Sequence, residues 1–255
     1  MAITAQQVNE LRQRTGIPMM ACKKALEEAG GDEEKAIEIL RKKGATKAAE
    51  KADRAMREGI IVTKTKNDTA VIVKFSCETD FVAKNEEFTA IANKAAETAL
   101  KSGVDVAKSE AEPSIKALFA RLGENMSIEV DVIEGGGIGE YLHTNSKVGA
   151  IVNLKSKDAE KARDIAMHIT AMNPEVISPE DLPEDVVIKE REIWADQLKS
   201  EGKPAEIMDR IMQGKEKKFR EEAALIKQTF VKDGEKTVEQ YLESNSVTSF
   251  VRKAV

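Results

Sequence analysis

Residues 59–77, GIIVTKTKNDTAVIVKFSC, carry the reading that decides the fold. Two runs rich in β-branched and apolar residues, IIVTKTK and AVIVKFS, flank Asn67-Asp68, a pair suited to a tight turn, so the stretch predicts an antiparallel hairpin. A helix follows at once, with Phe88, Ile91, Ala92 and Ala95 along one face. The same order recurs further on. Gly139 opens a strand, Asn145-Ser146 turns it, VGAIVNLKS returns, and AEKARDIAMHITAM forms a helix with Ile165, Ile169 and Met172 on one face. This predicts a duplicated hairpin-plus-helix unit and an α+β fold. Between the copies, SIKALFARL is expected to be helical and SIEVDVI a strand, with the glycines at 135, 136, 137 and 139 forming a loose connection.

Upstream, three short helices are expected, with Val8 and Leu11 apolar in the first, Leu26 in the second, and Ala36, Ile37 and Leu40 in the third. TGIP (15–18) and GGD (30–32) separate them. Pro18 suits the start of the second, and Asp32, Glu33 and Glu34 suit the positive N-terminus of the third, which Lys42-Lys43-Gly44 is expected to close. ATKAAEKADRAMRE (45–58) then reads as a solvated helical linker. Downstream, residues 183–224 hold two charge-rich helical stretches separated by EGKP (201–204), with Val187, Trp194 and Leu198 on one stripe and Ile207, Ile211 and Phe219 on its partner. From Asp185 to Glu222 nine basic residues face ten acidic ones, so a solvated helical hairpin is expected in place of an electrostatic arm. A short helix, VEQYLES, and a strand, VTSFVRKAV, end the chain, the strand able to rejoin the second sheet. The expected division is a three-helix domain over 1–50, a core subdomain over 51–134 with the helical linker at its start, and a second over 135–255 carrying the hairpin.

The composition narrows the function. A chain of 255 residues, 41% hydrophobic and 33% charged, can bury a real core. Its formal charge of -5 has the wrong sign for a domain that binds phosphates by displacing counterions, so no direct nucleic-acid contact is expected. The N-terminus is an amphipathic helix pattern with no signal-peptide character, and only Cys22 and Cys77 are present, so a reduced, cytoplasmic setting is expected. No run approaches the roughly 20 apolar residues of a membrane span.

Candidate chemistry is sparse. The two histidines, His143 and His168, are followed at i+3 and i+4 by neither cysteine nor carboxylate, which argues against a conventional zinc pair. GGGIGE fails the spacing of a dinucleotide loop, and no phosphate-loop Gly-Lys-Ser/Thr or Gly-x-Ser-x-Gly elbow occurs. No catalytic residue, cofactor or metal is expected. The distinctive stretch is CETDFVAKN (77–85), at a strand-to-helix junction. In one reading Thr79 or Asp80 caps the helix and Phe81 folds back onto the core. In the other, Phe81 is presented outward between polar neighbours.

LRQRTGIPMMACKKALEEAGGDEEKAIEILRKKG (11–44), CETDFVAKNEEF (77–88), MHITAMNPEVISPED (167–181) and EGKPAEIMDRIMQGKEKKF (201–219) together resemble bacterial elongation factor Ts, the family that exchanges nucleotide on elongation factor Tu. The resemblance covers nearly the whole chain. It implies a ubiquitin-associated-like three-helix domain, a core of two related α+β halves and an inserted helical hairpin. It also implies an exchange factor without covalent chemistry, in which Thr79, Asp80, Phe81 and Val82 intrude near the partner's magnesium site. Met19, Met20 and Lys23 would touch the partner's nucleotide domain, and His143 another partner domain. Longer members carry a further C-terminal module, whose contacts are not expected here. A one-to-one complex and a dimer of heterodimers stay open, because the stripe around Trp194 could pack on itself, on the core or on another copy. The competing reading is a protein-binding module acting through residues 1–50 alone.

Overall fold

The computed structural model describes residues 3–15, 17–51, 55–201 and 204–255. Gly16, Gly202, Lys203 and part of the expected linker (52–54) lie outside the described residues. The predicted mixture of helix and antiparallel sheet is present.

Two strands, β1 (Glu58–Lys66) and β2 (Thr69–Cys77), pair in antiparallel register with Lys66 opposite Thr69, so Asn67-Asp68 is a two-residue turn, and Asn67 takes φ 52 there. Strand β3 (Met126–Glu134) pairs with the other edge of β2, which makes β2 the central strand. Val71, Val73, Phe75 and Cys77 point to one face and pack against α5 (Glu86–Ser102) and α6 (Val104–Leu122). Ala70 and Ile72 point to the other face, where they meet Ile61, Ile133 and Ile151. Both faces of β2 are covered, which is why AVIV runs apolar without alternating.

The second sheet has the same order. Strands β4 (Gly137–Leu142) and β5 (Val148–Leu154) form a hairpin, and β6 (Val247–Ala254) pairs antiparallel with β5. The sheets lie back to back through Ile61, Ile72 and Ile151, with α5 and α6 outside one and α7 (Ala159–Met172) outside the other. Ile165 and Ile169 of α7 are buried as expected, whereas Met172, in the last turn, is 45% exposed.

Three expectations are corrected. The glycines at 135, 136, 137 and 139 do not all form a loose connection, because Gly137 as well as Gly139 lies within β4, each at a point of close approach. A Cβ on Gly139 would stand 2.4 Å from the carbonyl carbon of Ala162 in α7, and one on Gly137 would stand 2.2 Å from the carbonyl oxygen of Leu154. Gly139→Ala is therefore expected to lower stability by about 1–3 kcal/mol, seen as a lower urea midpoint. A midpoint equal to that of the wild type would show that α7 yields without cost. Second, the helix expected over SIKALFARL begins ten residues earlier, at Val104, and runs through Pro113. Third, the third N-terminal helix does not close at Gly44. The first two N-terminal helices are α1 (Ala5–Thr15) and α2 (Met19–Glu28), and the third, α3 (Glu33–Lys51), continues into the Ala-rich run, whose helix propensity outweighs the roughly 1 kcal/mol cost of an internal glycine. Val8, Leu11, Leu26, Ala36 and Leu40 form the buried cluster of these three helices, which also receives Ala120 of α6.

The charged insertion is a helical hairpin, α8 (Glu184–Ser200) and α9 (Ala205–Ala223). Trp194 packs edge-to-face on Phe219 with ring centroids 5.5 Å apart, and Val187 and Leu198 are buried beside this seam. Arg220 bridges Glu184 and Glu216 at 2.6 and 2.9 Å, joining the two helices. Ile207, expected on the inner stripe, is instead exposed. A short helix, α10 (Val238–Leu242), precedes β6, with Thr237 and Gln240 forming a capping box. No described helix is long and apolar enough to cross a membrane.

Candidate functional site

After Cys77 the chain leaves the sheet and forms a single helical turn, α4 (Asp80–Ala83), before α5 begins. Asn85 starts α5 by accepting hydrogen bonds from the N–H groups of Glu87 and Phe88 at 2.8 and 3.4 Å. Within α4, successive side chains are turned about 100° apart, so a single turn cannot bury all of Phe81, Val82 and Ala83 on one side. Val82 and Ala83 take the inward positions and are buried. Phe81 is 82% exposed. The aromatic positions of the core are already filled by Phe75 and Phe88, whose rings stack with centroids 3.9 Å apart.

The base of this turn is firmly tied. Thr79 donates its N–H to Glu124 Oε2 at 3.0 Å and its hydroxyl to Glu124 Oε1 at 2.7 Å, while its carbonyl accepts from the Cys77 thiol at 3.2 Å and from Ala83 N–H at 3.2 Å. Thr79 therefore occupies the N-cap position without capping through its side chain, which corrects the Thr79 part of the reading in which Thr79 or Asp80 caps the helix. Burial and the nearby Glu124 carboxylate push the Cys77 thiol up to about 12, so it stays protonated as a donor at neutral pH. Asp80, half exposed, accepts from Lys84 Nζ at 2.7 Å. That bond holds the Asp80 carboxyl below its ordinary range, and the same contact raises Lys84. A fixed turn thus carries a charged pair and one bare aromatic ring.

His143 lies in the β4–β5 turn and is exposed, with Nδ1 3.0 Å from Asn145 Oδ1. This turn and the α4 junction occupy the same end of the stacked sheets. Cys77 stands opposite Glu58 in the β1–β2 register, Lys147 from the turn reaches the Glu58 carboxylate and the Gly59 carbonyl, and Ile61 N–H donates to Ser146 O at 2.7 Å. Met19 and Met20 open α2 and are 48% and 63% exposed, and Lys23, one turn on, is half exposed beside Glu27. Thr79 to Val82 and the His143 turn are thus brought to one end, while no described contact joins Met19, Met20 or Lys23 to them. Glu124 escaped the sequence reading because its partner is distant in the chain and its local sequence, LGEN, carries no motif.

The rest of the molecule offers little else for chemistry. Among the described residues no group of three His, Cys, Asp or Glu side chains could hold a metal ion. His168 is a core histidine: its Nε2 is 3.0 Å from Gln228 Oε1, and its Nδ1 accepts from Val231 N–H at 3.2 Å, which fixes the neutral Nε2–H tautomer. Burial pushes its pKa below 6.5. The unfolded chain binds this proton more readily, so stability is full above about pH 6.5 and falls as the pH drops toward the lowered folded value. A lower urea midpoint is expected at pH 5.5 than at pH 7.5, and a His168→Gln variant should flatten that slope. An unchanged slope in the variant would mean that other groups carry it.

The Elongation factor TS family model matches residues 78–255. Elongation factor Ts of Vibrio vulnificus strain YJ016 is 45% identical over 260 residues, spanning 100% of this chain and 92% of the relative. That of Saccharophagus degradans is 44% identical over 263 residues, with 99% and 91% covered, and that of Hydrogenobaculum strain Y04AAS1 is 39% identical over 262 residues, with 97% and 96% covered. The similarity spans nearly the whole chain, and the chain belongs to the elongation factor Ts family.

Proposed function

We propose that the chain is a guanine nucleotide exchange factor for elongation factor Tu. It binds the GDP form, sets Asp80 and Phe81 against the partner near its magnesium site, and promotes GDP release so that GTP can enter during translation elongation in the cytoplasm. The observation that carries this reading is a bare phenylalanine ring on a turn held at its base, followed by buried Val82 and Ala83. No bond need be broken for this task. The factor must bind the nucleotide-free partner better than the GDP form, and linkage then requires that it weaken GDP by the same factor. Magnesium demands near-ideal octahedral geometry, which makes it the lever a wedge can act on.

Burying one phenylalanine contributes about 1.5–3 kcal/mol, so the ring supplies only part of the coupling. We assign the remainder to Met19, Met20 and Lys23 on the three-helix unit of residues 1–50, and to His143 on the second core unit of residues 135–255. Residues 51–134 carry the wedge itself. The test is stopped-flow release of a fluorescent GDP from elongation factor Tu. Addition of the chain should accelerate release, and a release rate independent of the added chain would end the proposal. The exposed Met19-Met20 pair favours one alternative, a binding module confined to the three helices. In that case the first 50 residues alone would reproduce any activity of the full chain.

A further inference from the structure

The β2–β3 ladder ends at Cys77 and Met126, and beyond it two glutamates replace the missing rungs. Glu78, leaving β2, accepts the N–H of Asn125 at 2.8 Å, and Glu124, entering β3, accepts the N–H of Thr79. Glu124 also takes the Thr79 hydroxyl, at 2.7 Å. A threonine at an N-cap position ordinarily turns that oxygen toward the free N–H groups of its own helix. Here it is drawn away, and the turn bearing Phe81 is anchored to the α6–β3 connection in addition to its own backbone bonds. A four-residue helix has too little internal bonding to hold a shape alone.

We propose that Glu124 is a positioning residue for nucleotide exchange: by gripping both polar groups of Thr79 it holds the Asp80-Phe81 turn in the conformation that presents the ring. This rests on the exchange reading above. The physical effect is on population. A wedge that visits its presenting conformation only part of the time acts with its strength reduced by that fraction. Ordering free backbone also costs free energy for every residue fixed, and the grip meets that cost before the partner arrives.

The experiment measures the saturating rate of GDP release from elongation factor Tu and the concentration giving half that rate, for Glu124→Ala, Thr79→Val, Phe81→Ala and the double variant Glu124→Ala/Phe81→Ala, with urea unfolding of each. Losing charge-assisted hydrogen bonds of this kind corresponds to roughly tenfold. Glu124→Ala is expected to lower the saturating rate roughly tenfold, with half-saturation changed less than about threefold, because the other contacts remain. In the Phe81→Ala background the same change should have less than about a twofold effect, since no ring is left to position. Glu124→Gln, which keeps one carbonyl oxygen for Thr79, should recover part of the rate. Should Glu124→Ala fold poorly, Thr79→Val removes the hydroxyl alone and is expected to behave likewise in smaller measure.

The proposal is overturned if Phe81→Ala is slow while both Glu124→Ala and Thr79→Val match the wild type. It is also overturned if Glu124→Ala slows the double variant as much as the single one, which would mean a role independent of the ring. A rate loss accounted for by the unfolded fraction overturns it too. If Phe81→Ala itself exchanges at the wild-type rate, the wedge reading fails first and the positioning role falls with it.

Discussion

Phe81→Ala is expected to slow factor-stimulated GDP release from elongation factor Tu by about ten- to a hundredfold while changing folding stability by no more than about 0.5 kcal/mol. The first half of this expectation rests on the proposed wedge role, and the second on the 82% exposure of the ring. A side chain in water contributes almost nothing to the folded state, so its removal leaves no cavity and no unpaired group. On the exchange reading, its value lies in surface that would be buried only in the complex. The loss should be concentrated in the rate at saturation, because an interaction made only in the state that expels GDP does not tighten the encounter with the GDP form. Reciprocity gives a second check, since the variant should weaken GDP affinity less when bound and should itself be displaced less by added GDP. Wild-type exchange by the variant, or a drop in stability of the size seen for a core truncation, would each refute the account.

That core truncation is the second large effect. Phe88→Ala, seven residues along, is expected to lower stability by about 3–5 kcal/mol, read from the urea midpoint at constant slope. Phe88 is fully buried and stacks on Phe75, in a cluster that also contains Val73, Val82 and Leu118. Its loss removes apolar contact with the sheet and with α6 at once, at a position closed off from water, where relaxation is limited by the strand backbone behind it. A domain of this size has a total stability of about 5–15 kcal/mol, so much of the margin would go. A cost below about 1 kcal/mol would show that the Phe75–Phe88 stack is not the keystone of the first half. The contrast between the two phenylalanines is the useful quantity. One should change function without stability, the other stability first and function only through it.

The architecture was readable wherever a local pattern had one physical meaning. The β1–β2 hairpin follows from two β-rich runs around Asn67-Asp68, and the inward faces of α5 and α7 follow from Phe88, Ala92, Ile165 and Ile169 at helical spacing. The Trp194 stripe likewise found Phe219 within the same hairpin. What escaped were features set by contacts between distant segments. Gly137 and Gly139 look like slack in one dimension, and only the approach of Leu154 and Ala162 shows them to be tight spots. The helix expected over SIKALFARL proved to start ten residues earlier, at Val104, and to run through Pro113. At the candidate site, the sequence offered two opposed orientations for Phe81, and the choice was made by Phe75, Phe88 and Val82 filling the interior first. The grip of Glu124 on Thr79 spans 45 residues and has no periodic signature at all.

The placement of β6 bears on how the protein is made. The first sheet is complete once Glu134 has emerged, since β3 then covers the free edge of β2. The second sheet must wait, because β5 ends at Leu154 and its outer neighbour begins only at Val247, after the whole helical hairpin has been synthesised. During that interval the β5 edge stands bare and its apolar residues await the helix and strand that close over them, the condition in which nascent chains are most prone to wrong pairing. Long-range closure of this kind is also slow. The half that carries Phe81 thus has all its strands in hand early in synthesis, and the half that carries His143 has them only when Val247–Ala254 has emerged.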